Sequence, residues 1–200
     1  MSWALVRTTK PNEPVISITD AKEHLRVVHD AEDILIQWIV DAATEHCETF
    51  QGRAYVTQEF QLTLPRFPHG RALRLPRPPL QGVEQIEYLD RNGDTQTLDS
   101  SAYRSVTTTE PGMVILNDGE SWPQVGQAPD AVRVTFTAGY GGPEDVPHAL
   151  QSAVLLYAGH LYENRETATV GTGPSFRLPL GYENLLRPNR FTMPDPLGAR

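Results

Sequence analysis

The sequence predicts an α+β protein. Two N-terminal helices and one long C-terminal helix form a helical core, an antiparallel β unit is inserted between them, and an extended C-terminal tail follows. Three observations carry this. Apolar residues recur with the 3.6-residue period between 31 and 50. Strict apolar–polar alternation replaces that period from Tyr55 onward. Residues 149–162 are almost wholly apolar over a helical length.

The elements follow in order. Residues 1–18, with Pro11 and Pro14, read as an extended arm. Thr19 is placed to cap a short helix to about Val27, with Asp20 and Glu23 in the turn where the helix dipole favours acids. Asp30 caps a longer helix, about Ala31 to Phe50. Its expected apolar face is Leu35, Ile36, Ile39, Ala42, Ala43, Cys47 and Phe50, and Gly52 stops it. The helices of the core are thus expected over about 19–51 and 147–164, with the β subdomain at 55–138, all within a single domain over 1–200.

Inside 55–138, residues 55–64 and 132–138 alternate cleanly. Shorter strand signals fall at 72–75, 83–90, 95–98, 103–106 and 113–116. Asn92-Gly93 between two of these runs predicts a hairpin turn. Pro143 and Pro147 lead into the third long helix, about His148 to Asn164. A helix apolar nearly all round is covered on more than one side, by its own chain, by a neighbouring subunit, or by both. Leu150, Ala153, Tyr157 and Leu161 are the residues expected at such a subunit interface. A short helical signal lies at 182–186, and the proline-containing segment 187–200 reads as an extended C-terminal arm.

Charge and composition exclude several functions. Seventeen Lys and Arg against 25 Asp and Glu leave a net charge of −8, the wrong sign for a chain that wraps nucleic acid through its phosphates. A single cysteine, Cys47, cannot form a disulfide within the chain, which points to a reducing compartment. The longest strongly apolar stretch, Ala153–Tyr162, is about half the ~20 residues of a bilayer span, so no membrane association is expected. The N-terminus lacks the pattern of a signal peptide.

No catalytic, cofactor or metal site emerges. Gly139-Tyr140-Gly141-Gly142 sits between a strand and a helix, where phosphate loops occur. However, Pro143, Glu144 and Asp145 follow it instead of Lys-Ser/Thr, and carboxylates repel a phosphate. His160 and Glu163 share a helix face, but no second His/Glu pair offers matching ligands. Cys47 on an apolar face reads as a small hydrophobe rather than a nucleophile. The arginines Arg66, Arg71, Arg74 and Arg77 suit an acidic partner surface more than nucleic acid.

The assembled pattern resembles the head–tail connector (adaptor) proteins of tailed bacteriophages and phage-derived gene transfer agents. The carrying segments are ITDAKEHLRVVHDAEDILIQWIVDAATEHCETFQGRAYVTQ (18–58), LRLPRPPLQGVEQIEYLDRNGD (73–94), AVRVTFTAGYG with VPHALQSAVLLYAGHLYENRE (131–166) and LPLGYENLLRPNR (178–190). Their order and spacing, rather than any one piece, make the match.

The resemblance implies a non-enzymatic virion protein with a helical connector core and no cofactor. It implies a ring of about twelve copies at the head–tail junction of a particle assembled in the host cytoplasm. Its partners would be further copies of itself, the portal protein above and a downstream stopper or tail protein below. DNA would pass through the channel without specific binding. Within that role, Asp33, Asp41 and Glu48 are expected to form a channel-facing acidic stripe, and Arg187, Arg190, Phe191 and Met193 to anchor the C-terminal arm on the portal. Two alternatives remain. One is a small soluble enzyme with a site near 139–163. The other is a different neck protein such as a stopper or terminator, against which the two N-terminal helices argue.

Overall fold

A computed structural model describes residues 3–164, 180–192, 196 and 197. The chain divides into two compact units. One comprises Met1–Asn12, Gly52–Tyr140 and Thr192–Arg200, and the other Glu13–Gln51 and Gly141–Phe191.

The first unit is antiparallel β. A five-stranded sheet runs in the order β1 (Ala4–Thr9), β2 (Gln58–Leu64), β8 (Val132–Ala138), β4 (Leu80–Leu89), β5 (Thr95–Thr97). A second sheet has the order β3 (Ala72–Arg74), β7 (Met113–Leu116), β6 (Tyr103–Val106). The alternation read from the sequence is the burial alternation observed. In β8, Val132, Val134, Phe136 and Ala138 point inward and the residues between them outward. Phe60 and Phe136 are register partners across β2 and β8 and stack with ring centres 5.7 Å apart. Around them Leu62, Leu64, Leu73, Leu75, Ile86, Val114 and Val134 build one core. Gly93 turns the β4–β5 hairpin at φ +88°, as Asn92-Gly93 predicts.

Two features of this unit were not expected. Ala4–Thr9, read as part of an extended arm, forms β1 and pairs along β2 from Ala4↔Thr63 to Thr9↔Glu59. Its short ALVRTT alternation, with Pro11 two residues beyond, was too brief to separate from coil. Arg53, 7% exposed, forms an ion pair with Glu110 (2.8 and 2.5 Å) and lies 3.5 Å from the Tyr140 hydroxyl. That guanidinium holds the Glu110 carboxyl below its ordinary range.

The second unit is helical: α1 (Ile18–Leu25), α2 (Asp33–Gln51), α3 (His148–Glu163) and α4 (Leu180–Leu186). Ser17, not Thr19, caps α1. Its Oγ accepts the Asp20 N–H at 3.1 Å and donates to the Asp20 carboxylate at 2.6 Å. Gly52 follows α2 at φ +68°, the left-handed residue expected there. Ile36, Val40, Ala43 and Cys47 of α2 are buried in the unit with Leu150, Ala153, Val154 and Ala158 of α3 and Tyr182 and Leu186 of α4. At Gly159 an added Cβ would meet His24 and Leu25 at 3.6–3.8 Å, so α1 lies against this small position of α3. Among the described residues, no helix is long and apolar enough to cross a membrane.

Candidate functional site

The residues singled out by sequence separate into those that hold this chain together and those that face outward. Leu150 and Ala153 have no exposed surface, and Leu161 is half-buried. Tyr157 is stacked on His46, with centroids 4.5 Å apart, and on Tyr182, 5.1 Å apart. These four were expected at a subunit interface. The structure corrects Leu150 and Ala153: a side chain with no accessible surface in its own chain offers none to a neighbour. The cover that α3 requires comes from α2 and α4 of the same unit.

The acidic stripe also changes. Glu48 is 6% exposed and lies on the buried side of α2, so it cannot line an open channel. Asp33 is half-buried and accepts the Lys22 ammonium at 2.8 Å, beside the Lys22–Asp30 pair. Asp41 is exposed and accepts a hydrogen bond from Gln37 at 2.9 Å. The physical reason is a rotation of the helix relative to the expected face. The core takes Ile36, Val40, Ala43, Cys47, Glu48 and Gln51, which leaves Ile34, Trp38, Asp41, Ala42, Glu45 and Thr49 exposed at three- and four-residue spacing. Trp38 is 68% exposed and Ile34 72%. This outward face is apolar and acidic together, and α2 carries no Lys or Arg.

Of the C-terminal anchors, Arg187 pairs with Glu183 at 2.6 Å, and the Arg190 guanidinium lies 4.8 Å over the Phe50 ring. The Phe191 N–H donates to the Gln51 carbonyl at 2.7 Å. Met193 lies outside the described residues. Gln51 also donates its Nε2 to the Leu186 carbonyl at 2.8 Å. Further on, Leu197 is 4% exposed within the β core. The segment expected as an extended C-terminal arm is tied to its own chain at Arg190, Phe191 and Leu197.

Three of the four clustered arginines come together in the β unit. Arg66, His69, Arg71 and Arg74 line one open cleft of about 540 Å³, with Leu197 in its wall. A second cleft, of about 280 Å³, has Arg71, Arg104 and Ile115 in its lining. Arg66 Nη1 lies 2.6 Å from His69 Nε2, and Arg71 pairs with Asp118 at 2.8 Å. Arg77 instead donates to the Arg53 carbonyl. Arg104 was missed because it stands alone in sequence, and only the pairing of β6 with β7 brings it to this surface.

The residues weighed for catalysis have structural explanations. The Gly142 N–H is occupied by the Asp145 carboxylate at 2.9 Å, so the strand-to-helix turn satisfies its own donor. Asn164 Nδ2 lies 3.3 Å from His160 Nδ1, and Glu163 is exposed. Cys47 is fully buried, and burial pushes its thiol up to about 12, which leaves no thiolate at neutral pH. Among the described residues no three His, Cys, Asp or Glu side chains converge as metal ligands.

Among the described residues, the exposed apolar-acidic face of α2 and the basic surface of the small sheet are the two outward surfaces of marked chemistry. Residues 15–108 match the family described as phage gp6-like head-tail connector protein. The fold matches solved structures along its whole length. A chain in the neck of an empty gene transfer agent particle, computed with C6 symmetry, is 25% identical with a TM-score of 0.79, and the match covers 98% of this chain and 99% of that one. A chain in the virion of the native particle gives 24% and 0.78, covering 98% of each. One in the native neck computed with C12 symmetry gives 23% and 0.77, covering 98% and 99%. No curated protein matches. Residues 15–108 thus resemble the head–tail connector family, and that family and the solved structures this chain is similar to are structural parts of particles rather than enzymes.

Proposed function

We propose that this protein works in the neck of a tailed-phage or gene transfer agent virion, as a ring of about twelve copies between the portal and the tail. The ring extends the DNA channel and presents a docking surface to the next neck component. The observation that carries this reading is the match over 98% of this chain and 99% of a neck protein, at 25% identity. The net charge of −8 suits a conduit, because repeated negative subunits repel a phosphate backbone within the ~8–10 Å reach that salt allows. Of the expected acidic stripe, Asp41 is the residue left exposed.

The C-terminal residues Arg187 and Arg190, directly after α4, are the described charges among the anchors expected for portal contact. The test is mass by light scattering, for the protein alone and mixed with its own portal oligomer. A stoichiometric complex of about one copy per portal subunit is expected. No complex at micromolar concentration overturns the portal assignment, and a complex formed only with a downstream neck protein would move the chain to a stopper position.

A further inference from the structure

Two surfaces of this chain have matching chemistry. The first is the outward face of α2: Ile34, Trp38 and Ala42 with Asp41 and Glu45. A tryptophan left 68% exposed beside an isoleucine left 72% exposed is an uncommon surface for a chain that stays alone. Tryptophan is also the side chain most enriched among residues that dominate interface energies. All four charged residues of α2 are acids.

The second surface is the outer side of the small sheet. Register places Ala72, Ile115 and Arg104 side by side across β3, β7 and β6, with Arg74, Met113 and Val106 in the next row. The opposite side carries Leu73, Val114 and Leu116 into the core. The outer side therefore presents a half-buried apolar centre (Met113, Ile115, Val106) with exposed arginines at its margins (Arg74, Arg104). None of the three strands contains an acid. The clefts flanking this face are lined by Arg66, Arg71 and Arg104 and give long side chains somewhere to enter.

We propose that these two faces are the two halves of one heterologous contact: the α2 face of one copy docks on the outer β3–β7–β6 face of the next copy. The inference rests on the ring reading above and names the surfaces that close the ring. Rotational assembly requires two different, complementary patches on each subunit. Here an acid-rimmed apolar ridge and an arginine-rimmed apolar sheet supply both shape class and sign. Like-charged pairings of either face with itself are disfavoured, which selects head-to-tail contact over a twofold dimer.

The experiment uses particles assembled from a mixture of Ala42→Cys copies and Ala72→Cys copies, treated with a short bis-maleimide. Both positions are small residues, so the replacements are mild, and buried Cys47 does not compete for the reagent. The expected product is a dimer that mass spectrometry shows to contain one copy of each variant. Dimers formed between two Ala42→Cys copies, or no dimers although both variants are present in the necks, overturn the inference. In parallel, Trp38→Glu should fold as wild type by circular dichroism yet enter particles at least about tenfold less. Incorporation at the wild-type level also overturns it. If the wild-type chain itself is absent from necks, the neck assignment fails instead, so the two failures are distinct.

Discussion

Gly139→Ala isolates what the glycine run between β8 and α3 is for. Gly139 holds φ at +135°, a region strained for any residue with a Cβ. An alanine Cβ would also stand 2.7 Å from the Thr57 nitrogen and from the carbonyl carbon and oxygen of Val56. All three are backbone atoms, and their surroundings are pinned. The Gly139 N–H donates to the Pro79 carbonyl at 2.9 Å, and the Tyr140 N–H to the Tyr55 carbonyl at 2.7 Å. Gln81 Nε2 donates to the Gly139 carbonyl at 2.9 Å. Strain of about 1–3 kcal/mol and overpacking of about 1–3 kcal/mol then add to about 2–6 kcal/mol. Gly93→Ala is the control. Its φ is +88° with nothing within 4 Å of the new Cβ, so only the left-handed cost of about 1–2 kcal/mol applies. Urea unfolding followed by tryptophan fluorescence measures both, with Trp122 stacked 4.6 Å from Phe67 as a reporter inside the same unit. At an m-value of about 2 kcal/mol/M, an extra 2 kcal/mol moves the midpoint by about 1 M. Equal losses for the two variants would refute the close-approach argument and reopen the glycines as a ligand loop.

Other expectations are independent of that turn. Among the described residues the buried Tyr182 hydroxyl has no nitrogen or oxygen partner, and the Cys47 thiol is at best a weak one. Tyr182→Phe should therefore be neutral or stabilising by up to about 1 kcal/mol in urea unfolding, and a loss above about 1 kcal/mol would show a missed partner. Because Arg53 lowers the Glu110 carboxyl, this pair contributes stability at neutral pH, and the contribution is lost as pH falls through the depressed folded value. In Arg53→Met the acid limb of stability against pH should be shallower than in wild type; identical limbs would sink the assignment. Leu197→Ala removes a side chain buried in the β core and should cost about 2 kcal/mol. A cost near zero, measured the same way, would mean that the C-terminal segment does not secure the unit.

The elements with a strong local period were legible. Strand alternation identified β8 and β2, Asn92-Gly93 located the hairpin, and the apolar run located α3. What escaped depended on distance along the chain. Arg53 and Glu110 are 57 residues apart, and nothing local marks either as a partner. β1 became a strand only because β2 offered it an edge. Sequence reading found the basic residues at 66, 71 and 74, but their gathering around one cleft with Leu197 is a property of the fold. Leu150 and Ala153, two of the four interface candidates on α3, were misplaced for a related reason. An all-round apolar helix signals heavy cover without saying whose, and here α2 and α4 supply it.

The misreading of α2 is the most informative of these. Pattern analysis assumes one apolar side per helix and assigns the polar remainder to solvent. In α2 both sides are mixed. Glu48 and Gln51 go into the unit, where Gln51 holds the α4 end through the Leu186 and Phe191 backbones, while Ile34 and Trp38 go out. An average over the helix cannot separate these two surfaces. The choice between them falls to a few close contacts, chiefly Tyr182, Cys47 and the small residues of α3. A helix selected only to fold would place Trp38 inward and Glu48 outward, exchanging a buried carboxylate for a buried indole at a gain in stability. The reverse arrangement makes sense when the outward side has its own work, and in an assembling subunit that work is contact with the next copy.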